Sequence, residues 1–502
     1  MVNLTVESLL LELSKQQIKL SVVDGKLSVK GKLSGLNSDI KDAIKAHKEA
    51  LITEIQKRSK SALVPMPRQY GEGVKASFAQ QRLFFLDDVQ GGSPEYNMQQ
   101  ILNVAGKIDL DAAQAALSKV IERHEILRTT YRYEKDVIKQ FITDFKDVSF
   151  QIRVLDFTNQ HTDEVTQLIA NAVTDDFHLP FDLQKDLMLR VTFIKQSDEQ
   201  GVLILNMHHI VSDGWSMEVL QKEFFELYQA SASGSELNMP ALPIQYADFS
   251  HWQHQNQHAF NEQLEYWKRQ LDEAPAIHSV PLDKKRPTEK CGKGGRVAAA
   301  IDATLAKQLM SIAKAHQITP FVLLHALFSL LISRHSNQHD VVIGTPVANR
   351  LQAELEPLIG FFVNNVVTRV STNHHCMSDF LAHVKQVHQQ AQANQDVPFE
   401  QVVERLNVAR NLQHTPLFQI MFTTSNDYGV SGSTKAGIAL SDGVNITPVQ
   451  PQEVQAKFDL ELDVHLSEDG GVLTWTYDVS LFDAERIERM SRHFSNLLTN
   501  LC

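Results

Sequence analysis

An unbroken apolar run, Val202-Leu203-Ile204-Leu205-Asn206-Met207, ends in His208-His209, and Ser212-Asp213-Gly214 follows. Such a run, bounded by a turn signal, predicts a strand buried on both faces. The stretch from Ser216 to Ala230 places Val219, Leu220, Phe224 and Leu227 on one side, which predicts a helix. From Ser77 onward strands and helices alternate irregularly, which suggests α/β layers and not a solenoid. Adjacent side chains on a strand point to opposite faces, so His208 and His209 cannot do the same work. One packs inside and the other faces a cavity. That geometry also argues against a metal site built from the pair.

Histidine is the side chain best suited to take a proton near neutral pH. Gly214 at the turn permits close backbone approach, and free amides at a helix start stabilise charge developing on a carbonyl oxygen. The segment therefore has the parts of an acyl-transfer site. Asp213 has two readings, as a carboxylate orienting an imidazole or as a structural residue pairing with a distant Arg. Four residues past a His and beyond a turn, it is poorly placed to meet the ring, which favours the structural reading. For the histidines themselves, a pair of satisfied core residues is the competing reading.

At 502 residues the chain is too long for one ordinary core. Its net charge of −12 argues against general nucleic-acid binding. Residues 1–60 carry 11 Lys and Arg against 7 Asp and Glu, so the remainder bears a charge of −16. That leading segment reads as a small unit. A helix capped by Thr5 carries Val6, Leu9, Leu10 and Leu13, and a hairpin follows around Asp24-Gly25. A second helix starts at Ser38, with Ile40, Ile44, His47, Leu51 and Ile55 at helical spacing. An acidic peptide can add a strand to the hairpin edge, with Lys26, Lys30 and Lys32 supplying complementary charge. A Pro- and Gly-bearing linker comes next. Cys291, Cys376 and Cys502 show no metal-ligand spacing and suit a reduced compartment. No apolar run is long enough for a membrane-spanning helix and no signal peptide is evident, so a cytoplasmic location away from membranes is expected.

The double-histidine segment, His208-His209-x-x-x-Asp213-Gly214, resembles the signature of condensation domains of nonribosomal peptide synthetases. Six further motifs of that family are matched in order. Ser77 to Leu86 resembles the first, Arg123-His124-Glu125-Ile126-Leu127-Arg128-Thr129 the second, and Tyr246-Ala247-Asp248-Phe249 the fourth. Ile359 to Asn365 is similar to the fifth, Asn394 to Glu400 to the sixth, and Arg410 to Leu417 loosely to the seventh. Heterocyclisation domains replace the histidines with aspartates, and plant-type acyltransferases carry a late Asp-Phe-Gly-Trp-Gly; neither pattern is present. The leading sixty residues resemble the TubC-type docking domains that begin some synthetase subunits.

The resemblance implies two chloramphenicol-acetyltransferase-like lobes in a V-shaped pseudo-dimer, preceded by a small α+β docking domain. The expected boundaries are 1–60 for docking, 61–74 for the linker, 75–245 for the first lobe and 246–502 for the second. His209 matches the family's catalytic His and His208 its inward-facing structural one. Asp213 matches an Asp that pairs with an Arg of the second lobe, here Arg350. Gly214 is the candidate oxyanion donor, and Trp215, Ser216, Asn364 and Asn365 are candidate tunnel-lining residues. The implied reaction is amide formation between a donor thioester and the α-amine of an acceptor, both carried on phosphopantetheine arms of carrier domains. No cofactor or metal held by the chain itself is expected. The docking partner is the acidic carboxyl-terminal tail of an upstream synthetase. Two alternatives stay open: an ester-forming or other acyltransferase of the same superfamily, and a non-catalytic gate or recruitment module. The chain stops just past an expected final helix near Leu498, which reads as a piece of a longer protein.

Overall fold

The computed structural model describes residues 63–235, 237–408, 413–424, 438–440, 443–449 and 454–501, together with 19–23, 26–30, 44, 47, 48 and 51. The chain divides into two compact units, Met1–Met66 and Pro67–Cys502. In the first unit β1 (Lys19–Val23) and β2 (Lys26–Lys30) pair antiparallel with Val23 opposite Lys26, the register a two-residue connection enforces. Leu51 is buried, and its N–H donates to the His47 carbonyl at 2.8 Å. The expected first helix, the Ser38 cap and Lys32 lie outside the described residues.

The second unit opens with β3 (Val74–Lys75), α1 (Phe78–Gln90), β4 (Asn97–Ala105) and α2 (Leu110–Arg123). β5 (Thr129–Glu134), β6 (Val137–Ile142), β7 (Arg153–Asp156) and α3 (Thr162–His178) follow, then β8 (Leu189–Lys195), β9 (Gln200–His208) and α4 (Gly214–Ala232). α5 (Tyr246–Gln255) and α6 (Asn261–Gln270) lead into β10 (Lys293–Ile301), α7 (Ala303–Ala315), α8 (Pro320–Ser336), β11 (Asp340–Val347) and β12 (Asn364–Ser371). α9 (Met377–Ala393), α10 (Phe399–Arg405) and β13 (Ile420–Thr424) come next. The last elements are β14 (Ile438–Ala439), β15 (Asn445–Val449), β16 (Val454–Gln455), β17 (Leu460–Ser467), β18 (Gly470–Asp478) and α11 (Ala484–Leu501).

Two large sheets organise this unit. The first runs β14-β15-β4-β9-β8-β7 and the second β12-β11-β13-β17-β18-β10-β16, with a small β3-β6-β5 sheet beside the first. β9 sits inside its sheet and is buried at every position from Gly201 to His208, which is why its sequence is continuously apolar. β17 instead alternates. Leu460, Leu462, Val464 and Leu466 enter the second core, and the residues between them face the other way. That core is built around α8, whose first turn is set by Thr319 capping Val322 and by Pro320 at the start. α11 closes it with Ile487, Met490, Phe494 and Leu498 along one stripe.

Two segments depart from a simple division into lobes. Residues 438–449 fall beyond the expected boundary at 245/246, yet β15 pairs with β4, Val449 opposite Ile101, at the edge of the first sheet. The stretch around Arg68, read as linker, is tied to the body. The Arg68 guanidinium forks onto Asp248 at 2.7 and 2.8 Å and donates to Glu125 at 2.7 Å. A bidentate pair of this kind fixes backbone direction as well as charge. No single helix among the described residues is long and apolar enough to cross a membrane. α7 and α8 reach that composition only as a pair bent by 100°, and α8 is a core helix.

Candidate active site

The site grows from the end of β9. His208 is the last residue of the strand and stands opposite Asn97 in the ladder. Its imidazole is fully enclosed, edge-on to Tyr96 and Phe181 at 6.2 and 6.1 Å between centroids. Nδ1 accepts from the Ile210 N–H at 3.1 Å, which assigns the proton to Nε2, and Nε2 has no partner. Burial is the main cause that pushes this ring's pKa down to about 3, with the charges of His209 and Lys457 adding to it. A neutral ring with no exposed edge cannot exchange protons with a substrate.

His209 lies just past the strand, partly exposed, with its N–H bound to the Tyr96 carbonyl at 2.8 Å. Its Nδ1 lies 2.7 Å from the Ser212 carbonyl oxygen. A carbonyl only accepts, so Nδ1 carries the proton and the Nε2 lone pair is left free. The ring meets Phe361 edge to face at 4.8 Å. Burial, then the nearby Lys457 cation, pushes its pKa down to about 3, against the opposing bond to Ser212.

Asp213 caps α4. Its Oδ1 accepts from Ser216 N at 2.8 Å and from Ser216 Oγ at 2.7 Å, and its Oδ2 accepts from Phe362 N–H at 3.0 Å. The structure brings Arg350 to the same carboxylate, with Nη2 at 3.2 Å from Oδ1 and 2.9 Å from Ser216 Oγ. Nη1 donates to the carbonyls of Leu355 and Leu358 at 2.5 and 2.7 Å. The guanidinium lies over Phe362 at 4.2 Å and Trp215 at 5.6 Å. Asp213 therefore faces away from the imidazoles and joins the turn to the second lobe. Gly360, whose N–H donates to Ser216 Oγ at 3.0 Å, is required there: a Cβ would meet Tyr246 at 2.2 Å.

Two of the expected tunnel residues are turned inward. Ser216 is fully enclosed, because its hydroxyl is the hub between Asp213, Arg350 and Gly360. Asn364 is nearly so, its amide donating to the carbonyls of Gln395 and Val397 while accepting from Phe399 N–H. Asn364 and Asn365 line a void of about 10 Å³. Trp215 is half-buried and donates from Nε1 to the Glu356 carbonyl at 2.9 Å. Gly214 is the first residue of α4, so its N–H has no acceptor within the helix. Nothing lies within 4 Å of where its Cβ would be, so open space stands in front of it.

The large cavity is lined by other residues. A space of about 700 Å³ opens between β4 and α3 on one side and the outer face of the second sheet on the other. Asn97, across from His208, and Met217, in the first turn of α4, are in its wall. Lys457 and Glu461 line it as well, and neither was singled out from the sequence.

Family motifs without an assigned role turn out to brace the histidine turn. Ser77 and Gln80 form a capping box at the start of α1, and the Gln80 amide then donates to the Ile210 carbonyl at 3.2 Å. Tyr246 donates to the Phe361 carbonyl at 2.7 Å. His124 accepts from Ile359 N–H at 3.3 Å and bonds Glu223 at 2.8 Å. Among the described residues no three His, Cys, Asp or Glu side chains cluster as a metal site.

Comparison with known proteins matches this geometry to a family. The Condensation domain profile covers residues 72–502, and the TubC N-terminal docking domain profile covers 6–56. Gramicidin S synthase 2 of Brevibacillus brevis is 32% identical over 450 residues, which is 89% of this chain and 10% of that protein. Phosphinothricin tripeptide synthetase PhsC of Streptomyces viridochromogenes is 33% identical over 84% of this chain and 39% of its own length. The chain thus spans a small part of these relatives. The X-domain in complex with OxyB from teicoplanin biosynthesis shares the fold, with a TM-score of 0.78 at 23% identity over 88% of this chain and 95% of that one. The EpoB cyclization-docking bidomain of Sorangium cellulosum aligns over 98% of both chains, with a TM-score of 0.73 at 18% identity. The chain belongs to the condensation-domain family, and its residues 6–56 match the TubC N-terminal docking domain.

Proposed function

We propose that His209 presents Nε2 to the α-amine of a carrier-bound aminoacyl acceptor, which attacks the carbonyl carbon of a carrier-bound donor thioester. The bond between Nδ1–H and the Ser212 carbonyl carries this reading, because it leaves Nε2 as the ring's one proton acceptor. Attack forms a carbon–nitrogen bond and a tetrahedral oxyanion, which accepts from the Gly214 N–H, a donor left without an acceptor in its own helix at the start of α4. The amine proton passes by way of Nε2 as the carbon–sulfur bond breaks, leaving an amide and a free thiol on the donor arm. Asp213, Arg350 and Ser216 keep the turn in place. Residues 75–245 and 246–502 serve as the two lobes whose sheets bound the cavity, with the phosphopantetheine arms of the two carrier domains reaching His209. Trp215, at the edge of the turn, borders the approach.

The docking unit recruits the donor-bearing protein. The β1–β2 hairpin offers outer strand edges, and Lys26 and Lys30 sit at its β2 positions opposite Val23 and Lys19. An acidic carboxyl-terminal tail of an upstream synthetase pairs there by strand addition. The test of the central reading is turnover with loaded donor and acceptor carriers, the product read by mass. His209→Ala lowers condensation by at least about 10²-fold with an unchanged circular dichroism spectrum. Near-normal amide formation by that folded variant removes His209 from the reaction.

A further inference from the structure

One wall of the cavity takes no part in the chemistry at His209. β17 sends its leucines and Val464 into the second core, so alternation turns Glu461 to the cavity face. Glu461 stands opposite Thr476 of β18, and Thr476 opposite Arg296 of β10, and all three line the cavity. Lys457 precedes Glu461 by four residues on the same segment. Its carbonyl accepts from Lys290 Nζ at 2.7 Å, and the preceding Ala456 N–H donates to Gly292 O at 3.0 Å, so its backbone is tied down.

Lys457 and Glu461 bring an amine and a carboxyl group to this wall, and among the described residues neither side chain has a hydrogen bond or ion pair. Their charges act on one another without contact. Asn97, which stands opposite His208 in the β4–β9 ladder, lines the same cavity as Lys457 and Glu461. Burial raises the Glu461 carboxyl to about 7, and in either protonation state it keeps an oxygen able to accept. An ammonium and a carboxyl group set apart along one wall match a ligand that offers an acceptor to the first and a donor to the second. A peptide unit carries both, as C=O and N–H. An alkyl chain carries neither and would bury the two groups unpaired. The space of about 700 Å³ is in the range that holds drug-sized ligands.

We propose that Lys457 and Glu461 form a subsite for an amide group within the donor acyl chain. Lys457 donates to its carbonyl oxygen and Glu461 accepts from its N–H, so the cavity selects a peptidyl donor over a fatty acyl donor of equal length. The inference takes its donor side from the proposed reaction at His209, but occupancy of the cavity is measurable without turnover.

The probes are pantetheine conjugates in which an amide replaces the thioester, bearing either a tripeptide or an alkyl chain of matched length. Their affinities for the full chain are measured by calorimetry. The tripeptidyl conjugate binds at least about tenfold more tightly, the worth of one charge-assisted hydrogen bond. Lys457→Met and Glu461→Leu each shrink the ratio, and together they bring it near unity without weakening the alkyl conjugate. Glu461→Gln, which keeps an acceptor, retains most of the preference. A wild-type chain that binds both conjugates equally overturns the subsite, as does a folded double variant that keeps the ratio or loses both conjugates alike. Should the double variant fail to fold, Lys457→Gln reads the same ratio with little change in volume. A held binding ratio without amide formation in the turnover assay leaves the subsite standing and removes the reading of His209.

Discussion

The pH dependence of condensation separates two roles for His209. Only Nε2 can take a proton, and burial beside the Lys457 cation holds the ring's pKa at about 3. An α-ammonium group has a pKa near 8, so passing its proton to His209 is uphill by about five units, or roughly 7 kcal/mol at 1.36 kcal/mol per unit. The imidazole therefore does not generate the nucleophile. The acceptor arrives as the free amine, and His209 holds it by accepting its N–H bond and takes the proton only once the nitrogen has become acidic in the tetrahedral intermediate. The perturbation is a change of acceptor, from an ordinary α-amine to one whose pKa is about one unit lower. Single-turnover rates at subsaturating acceptor rise with unit slope and level off at the amine's own pKa, near 8 for the first acceptor and about one unit lower for the second. No inflection between pH 6 and 7 is shared by the two acceptors. An inflection there that stays when the acceptor is changed, and disappears in His209→Gln, would show that His209 titrates as an ordinary base and refute the reasoning.

The clamp predicts a coupled loss. Asp213→Ala leaves the buried Arg350 guanidinium without its carboxylate and costs about 4 kcal/mol, and Arg350→Ala costs a similar amount. In a double-mutant cycle followed by chemical denaturation, the pair loses about 2 kcal/mol less than the sum of the singles, and additive losses would dissolve the clamp. His208 supplies an acid sensitivity whose sign follows from its depressed pKa. Its folded value of about 3 lies below the ordinary 6.5, so stability is present above pH 6.5 and lost as pH falls towards 3. Between pH 7 and 5 the loss through this ring is about 2 kcal/mol. His208→Asn, which keeps an acceptor for Ile210 N–H and does not titrate, flattens that slope in denaturation series, and an unchanged slope would contradict the assignment. Gly214→Ala puts a Cβ where nothing in the protein lies within 4 Å, so its melting temperature stays near wild type while condensation falls on the order of 10-fold. Equal turnover by that variant would show that substrate does not approach this amide.

Strand alternation led to the expectation that the two histidines differ, and they do in burial, but the strand ends at His208, so it is the turn beyond it that leaves His209 partly exposed. The hairpin at Lys19–Lys30 was legible because two residues between two alternating runs leave one register. Ser216 and Asn364 were misplaced for a shared reason. A polar side chain beside a glycine turn looks substrate-facing, yet Ser216 stands three residues after a capping Asp and becomes the hub of a buried network. The Asp213-x-x-Ser216 spacing was the available signal, since an N-cap carboxylate reaches that position. Arg68 was hidden for another reason. Its segment has the proline and glycine of a linker, and its partners Glu125 and Asp248 are remote in sequence, so no local pattern shows that it is bound to the body.

The cavity wall was illegible on more general grounds. Residues 460–466 read as plain alternation, and alternation says that Glu461 and Asp463 share a face but not what that face meets. In most open sheets the polar face meets solvent. Here the face is set against β4 and α3, because the chain returns through β15 to pair with β4 and draws the first sheet towards the second. That one crossing turns an ordinary polar face into the lining of an enclosed site. β15 and β4 belong to the sheet whose β9 ends at His208, whereas Glu461 stands in the other sheet, so selection at this wall acts across the cavity and not along one ladder.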